Sequence, residues 1–349
     1  MQVKINQFTA SNMLNILIDI PVYAPLLEAL KRMPGANIKV VEKPEEKSRT
    51  LPLELIKDCD ILLCTFLPEN HLEMTRLKMV QISSAGYKQL IGQGLAERNI
   101  KACNALGVFD VPIAEWNMAM MVNLARDLRS LIRNQDERVW DRDARFQREI
   151  SGSVVGIWGY GGIGRETARI SKTLNMKVHV LSRSGVKPRE NVYCVSGTGD
   201  TEGILPDRVF LMEEKEEFLK GLDFLIMAIP QTQSTEGIVG EAELRMLNPN
   251  AYLLNPARGP LIQEQALVQA LTEGWIAGAA LDTHYYYPMP ADHPLWKMPN
   301  VILSPHISGS SASPHFLERV WDIFVQNVQR FQKGDALLNE LTPAELIGD

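Results

Sequence analysis

Arg258 and His306 are the two side chains of this 349-residue chain whose setting suggests reactivity. Each follows a short apolar run. Arg258 lies in Asn255-Pro256-Ala257-Arg258-Gly259, and His306 in Ser304-Pro305-His306-Ile307-Ser308-Gly309. A guanidinium is a planar fork that grips a carboxylate through two charge-assisted hydrogen bonds. An imidazole gives or takes a proton near neutral pH. Together they suit chemistry at the carbon beside a carboxylate, provided another group carries the electrons. Alone, the arginine reads as a surface charge and the histidine as a structural hydrogen-bonder; their joint placement at strand ends favours chemistry.

The electron carrier is foreshadowed by Val154-Val155-Gly156-Ile157-Trp158-Gly159-Tyr160-Gly161-Gly162-Ile163-Gly164. An apolar run reads as a buried strand, and Gly159, Gly161 and Gly164 then fall at G-x-G-x-x-G spacing. Residues 165–176 have helical character, and 177–181 read as a second strand. The first glycine permits a tight turn, the second close approach of a pyrophosphate, and the third helix-on-strand packing. The helix N-terminus presents free N–H groups to the phosphates. This is a dinucleotide-binding unit, with Gly159, Tyr160, Gly161, Gly162, Ile163 and Gly164 as its contacts. A similar glycine pair at Gly197-Thr198-Gly199-Asp200 has no strand before it and reads as loop.

An acidic residue about twenty positions past the glycines would hold a ribose 2′-hydroxyl. That place falls at Ser182, within Leu181-Ser182-Arg183-Ser184, where no carboxylate stands. Ser182, Arg183 and Ser184 offer hydroxyls and a guanidinium instead, which favours a 2′-phosphate, so NADP(H) is expected over NAD(H).

The elements that position these residues alternate strand and helix. Runs at 38–41, 60–64 and 79–82 read as strands and 23–32 as helix, while 15–20 opens as either. Strands at 225–229, 251–254, 278–281 and 301–303 continue the second half, and 113–131 and 317–332 are long helical stretches. Residues 184–218 read as a polar surface excursion. The expected class is α/β, with two Rossmann- or flavodoxin-like lobes, doubly wound parallel sheets and a cleft between them. The expected division is 1–112 plus 310–349 for substrate and 113–309 for the dinucleotide.

Composition narrows the function. With 36 basic and 42 acidic residues the net charge is −6, which offers no footprint for nucleic acid. No apolar run is long enough to span a bilayer, and Met1-Gln2-Val3-Lys4 does not open a signal peptide. The four cysteines make no C-x-x-C pair. No metal site is expected, and the protein is expected to be soluble and cytoplasmic.

Taken in order, the motifs resemble the D-isomer-specific 2-hydroxyacid dehydrogenase family over nearly the whole chain. The matching residues are the 159–164 loop, Asn255-Pro256-Ala257-Arg258-Gly259, Leu281-Asp282 and Pro305-His306-Ile307-Ser308-Gly309. Ile113-Ala114-Glu115 is similar to the family's bridging-helix signature, and Ser83-Ser84-Ala85-Gly86-Tyr87 to its substrate loop. The resemblance implies a two-lobed homodimer acting on a small 2-oxo or 2-hydroxy acid. Backbone amides at Ser84, Ala85 and Gly86 would bind the substrate carboxylate with Arg258. Asp282 would face the nicotinamide carboxamide, and Pro230, Thr235, Pro256 and Ala257 would line the coenzyme groove. His306 would be the acid/base.

One position departs from that pattern. The family carries a glutamate before the proline of D-x-x-x-x-E-P, where it pairs with the histidine; here Tyr287 occupies it, in Tyr285-Tyr286-Tyr287-Pro288. Tyr287 therefore joins Arg258 and His306 in the expected catalytic set. A neutral phenol supplies no charge to hold the imidazole protonated, so His306 should titrate lower than in typical members. A second departure is Gln263, where an acidic residue is usual. The missing glutamate keeps alternatives open. These are an imino acid reductase giving a D-amino acid, with an amino acid oxidase as its expected partner, a formate dehydrogenase, and a cofactor-sensing binding protein. The three tyrosines also have a plainer reading as packing.

Overall fold

The computed structural model describes residues 13–348; Met1-Gln2-Val3-Lys4 and Asp349 lie outside the described residues. Two compact units divide the chain. One comprises the chain up to Val108, Asn191–Tyr193 and the chain from Ser311; the other is Phe109–Glu190 with Cys194–Ser310.

The first unit opens with β1 (Leu14–Asp19), α1 (Ala24–Lys31), β2 (Ala36–Val40), α2 (Leu53–Ile56), β3 (Ile61–Cys64), β4 (Met79–Ile82) and β5 (Lys101–Cys103). The strands form one parallel sheet in the order β2-β1-β3-β4-β5. The run at 15–20 is thus a strand. Strands β3 and β4 are buried at every position, because a parallel sheet is covered on both faces; β3 is an unbroken apolar run, and β4 is interrupted only by the buried Gln81. β5 has no such signature, being three residues long with a lysine at its head.

The second unit opens with α3 (Asp110–Ala125) and α4 (Leu128–Glu137). The single helix expected over 113–131 is broken at Asp127, which takes a left-handed conformation (φ 43°) and caps the second helix by accepting from the Ser130 N–H. Then follow β6 (Val154–Trp158), α5 (Gly162–Thr173), β7 (Lys177–Leu181), β8 (Arg208–Phe210), α6 (Lys215–Lys220), β9 (Phe224–Met227), α7 (Glu241–Met246), β10 (Tyr252–Asn255), α8 (Glu264–Glu273), β11 (Gly278–Leu281) and β12 (Val301–Leu303). The excursion at 184–218 therefore carries an edge strand and a short helix. Seven parallel strands run β12-β11-β10-β9-β6-β7-β8. The order reverses between β6 and β9, and the crevice at such a switch point is where doubly wound sheets bind ligands. Trp158, Phe210, Phe218, Met227 and Leu253 fill one core of this unit, and Met121, Ile157, Ala168, Phe224 and Ile226 another. The buried Asn117 amide donates to the Thr167 hydroxyl at 3.0 Å, fixing α3 against α5.

The chain ends in the first unit with α9 (Pro314–Lys333) and α10 (Pro343–Ile347). Ser313 caps α9 and Gly334 closes it at φ 75°. Val320, Trp321, Phe324 and Val328 bury its apolar face, and the Asn327 amide donates to the Gln81 side chain of β4 at 2.9 Å. Among the described residues no helix is long and apolar enough to cross a membrane.

Candidate active site

The loop after β6 is shaped for a diphosphate. Gly159 has φ 99°, and a Cβ there would lie 2.6 Å from the Ala228 carbonyl oxygen, so only glycine fits. A Cβ on Gly164 would lie 2.5 Å from the Gly159 oxygen, the close packing the third glycine serves. Gly161 caps α5, and an added Cβ meets nothing within 4 Å. The approach at Gly161 is thus open, while the Asp110 carboxylate stands against Gly162, and the glycines fit a dinucleotide. The Tyr160 side chain takes another course. Its hydroxyl donates to Asp200 Oδ2 at 2.7 Å, and burial together with that carboxylate raises its pKa. Asp200 also accepts the N–H groups of Gly203, Ile204 and Leu205. The loop at 197–200 therefore braces the glycine turn, a role its spacing does not announce.

At the end of β7, the Ser182 N–H donates to the Phe210 carbonyl and its hydroxyl to the Gly185 carbonyl. Arg183 and Ser184 are exposed, and residues 182–189 contain no carboxylate. After β9, the Thr235 hydroxyl donates to the Pro230 carbonyl at 2.8 Å and closes that loop.

Three further strand ends carry the reactive groups. After β10, Asn255 ties down its own loop, accepting from the Ala257 N–H and donating to the Arg258 carbonyl. Pro256 is buried there, while the Arg258 side chain is exposed. After β11, the buried Asp282 carboxylate accepts four hydrogen bonds, from Ser304 Oγ (2.6 Å), Ser308 Oγ (2.5 Å) and the N–H groups of Ile307 and Ser308. After β12, His306 takes φ 57°, with its N–H donating to the Asp282 carbonyl at 2.7 Å. Asp282 thus holds the turn that presents the imidazole.

Tyr287 meets that imidazole. Its hydroxyl lies 3.1 Å from His306 Nδ1, with the ring centroids 5.7 Å apart. The backbone N–H of His284 donates to the same hydroxyl at 3.3 Å. Burial and the Arg258 guanidinium pull the His306 pKa below 6.5, against an opposing pull from Asp282. Arg258, Tyr287, His306 and Asp282 are therefore gathered at one edge of one sheet.

In the first unit, the Ser84 hydroxyl donates to the Gly86 carbonyl at 2.7 Å and accepts from the Gln89 amide at 2.8 Å. The Ala85 carbonyl accepts from the Asn104 amide. Ser84, Ala85 and Gly86 thus form a braced loop at the carboxyl end of β4.

Other site residues lie outside the expected set. The Ser304 hydroxyl accepts from the Trp116 indole at 3.1 Å and donates to Asp282, and its carbonyl oxygen lies 2.8 Å from His284 Nε2. Glu264 lies 2.7 Å from His293 Nε2 and accepts from the Tyr286 hydroxyl at 3.1 Å, steadying the segment that carries Tyr287. These partners stand from 20 to 188 positions apart, and no local spacing marks them.

Residues 118–308 match the family profile described as "D-isomer specific 2-hydroxyacid dehydrogenase, NAD binding domain". A glyoxylate reductase of Thermofilum pendens is 30% identical over 304 residues, 84% of this chain and 85% of that protein. A crystal structure of a D-isomer-specific 2-hydroxyacid dehydrogenase family protein from Aeromonas salmonicida is 26% identical with a TM-score of 0.71. It covers 95% of this chain and 99% of its own. An acyclic imino acid reductase solved with NADPH and D-Arg shares the fold at 22% identity and TM-score 0.68, over 94% of this chain and 100% of its own.

Proposed function

The chain belongs to the D-isomer-specific 2-hydroxyacid dehydrogenase family, and from that premise we propose that it reduces a small 2-oxoacid to the D-2-hydroxyacid, using NADPH in preference to NADH. Its second unit is an NAD(P)-binding domain of that family. The coenzyme supplies hydride to the substrate carbon. Arg258 grips the substrate carboxylate through its two parallel donors. Its charge also polarises the neighbouring carbonyl. His306 delivers the proton from Nε2, the ring atom turned away from Tyr287. Asp282 and Ser304 hold the imidazole turn in place. The observation that carries this reading is the gathering of Arg258, His306 and Tyr287 beside the switch point that bears the open glycine loop.

The coenzyme preference rests on the exposed Arg183 and Ser184 and on the absence of any acidic residue from 182–189. Turnover of a panel of 2-oxoacids with NADPH and with NADH tests both parts. We expect a higher kcat/KM with NADPH; equal or better use of NADH removes the preference, and no oxidation of either coenzyme overturns the reading.

A second reading, reduction of a 2-imino acid to a D-amino acid, is favoured by one observation. His306 faces a neutral phenol in place of a carboxylate and is itself depressed in pKa. A protonated C=N needs no acid from the protein, and a neutral imidazole does not repel it. An amino acid oxidase would then supply the substrate. Adding ammonia to the same oxoacid assays discriminates: this reading requires a rate that depends on ammonia and an amino acid product.

We place two copies together through the face of α4. None of its residues is buried, and Leu128, Ile132 and Val139 are exposed beside Trp140, which is 91% exposed. So large an apolar side chain left in water points to a partner surface. Sedimentation is expected to show a dimer. Trp140→Lys should weaken it by about 30-fold or more, the loss of one central aromatic anchor; a wild-type monomer at micromolar concentration contradicts the assignment. The four free cysteines suit the cytoplasm, and recovery of the protein from an oxidising compartment would speak against it.

A further inference from the structure

We propose that Tyr287 is a proton relay, passing protons from solvent to His306 Nδ1 while His306 Nε2 serves the substrate. This rests on the reductase reading above. The geometry carries it in three steps. The His284 N–H can only donate, so the Tyr287 oxygen accepts from it at 3.3 Å. The other polar atom within reach of that hydroxyl is His306 Nδ1 at 3.1 Å, and the relay places the phenolic proton on that line. An imidazole that accepts at Nδ1 carries its proton on Nε2. Tyr287 is 60% exposed, so its oxygen can exchange protons with water.

The proton balance closes without an imidazolium. As the substrate carbon takes hydride, its C=O π bond breaks and the oxygen takes the Nε2 proton. The electron pair left on the ring draws the Tyr287 proton onto Nδ1. The phenolate, held by the His284 N–H, takes a proton from water and leaves hydroxide, so one solvent proton is consumed per turnover. After product leaves, Nε2 takes a proton from water and Nδ1 returns its own through Tyr287. A carboxylate partner works differently, since it stabilises the charged ring. The groups facing His306 are Arg258, Asp282, His284 and Tyr287, and the relay lets the site work although the cationic Arg258 disfavours a second positive charge there.

Two measurements on the wild type and Tyr287→Phe test the relay. Nitrogen NMR of the free protein, with the six histidines assigned by substitution, should find neutral His306 as the Nε2–H tautomer. Tyr287→Phe should lose that bias. In steady state, the wild type should hold its reductive kcat across the pH range where His306 is neutral. Tyr287→Phe, left with the imidazolium as its only donor, should fall about tenfold per pH unit above the His306 pKa, with KM little changed. An Nδ1–H tautomer in the wild type, or parallel pH profiles for the two proteins, overturns the relay. Failure of the wild type to turn over any oxoacid or imino acid instead overturns the reading beneath it, and the NMR result stands apart from that outcome.

Discussion

Replacing His306 with asparagine is expected to lower the kcat for a 2-oxoacid by about 10²- to 10⁴-fold, the usual worth of a positioned acid or base. Asparagine is the informative choice because His306 sits at φ 57°, a left-handed conformation that asparagine tolerates better than most residues. The backbone N–H would keep its bond to the Asp282 carbonyl, and Asp282 would keep its four donors. The turn should therefore survive, with unchanged coenzyme binding by fluorescence and an unchanged melting temperature. The reverse reaction adds a signed pH dependence. Oxidation of a hydroxyacid needs neutral imidazole as base. Because burial and Arg258 depress the His306 pKa, the wild-type oxidative rate should rise with pH and reach its half-maximum at a lower pH than an unperturbed imidazole would give. Activity of His306→Asn within a few-fold of wild type would remove the residue from the chemistry.

Features that local spacing encodes are legible in the chain, and those made by distant partners are not. The glycine turn between β6 and α5 is readable because its spacing is local: Gly159 takes φ 99°, Gly164 packs on Gly159, and Gly161 faces open space. The buried strands of both sheets are readable because coverage on two faces forces apolar runs. β5 and β8 escape because three-residue strands with charged heads lack that signature. The break between α3 and α4 escapes because it depends on one aspartate adopting a left-handed backbone, and 113–131 otherwise keeps its helical character. In the site, strand ends point to Arg258 and His306, and only the resemblance draws attention to Tyr287. Asp200 is hidden because it serves Tyr160 from 40 positions away. Ser304 is hidden because its role is divided between a hydroxyl and a carbonyl, which sequence does not distinguish.

Arg258 offers a pair of variants that separate charge from shape. Arg258→Ala removes the fork that would hold the substrate carboxylate. Two charge-assisted hydrogen bonds at about 1.5–3 kcal/mol each amount to a fall of about 10²- to 10⁴-fold in kcat/KM. It also removes the cation that disfavours protonation of His306, so the pH profile of the residual oxidative activity should move upward. Arg258→Lys keeps a positive charge on a shorter, single-headed donor that cannot match both carboxylate oxygens. It should lose most of the same kcat/KM while leaving the pH profile close to wild type. Asn255 holds the loop through the Ala257 N–H and the Arg258 carbonyl, so Arg258→Ala costs the main chain only the guanidinium's bond to the Ala257 carbonyl (2.6 Å), and an unchanged melting temperature checks that the loop survives. Steady-state kinetics across pH for the three proteins decides the matter: if lysine restores full kcat/KM, Arg258 acts by charge alone and the forked grip on the carboxylate is wrong.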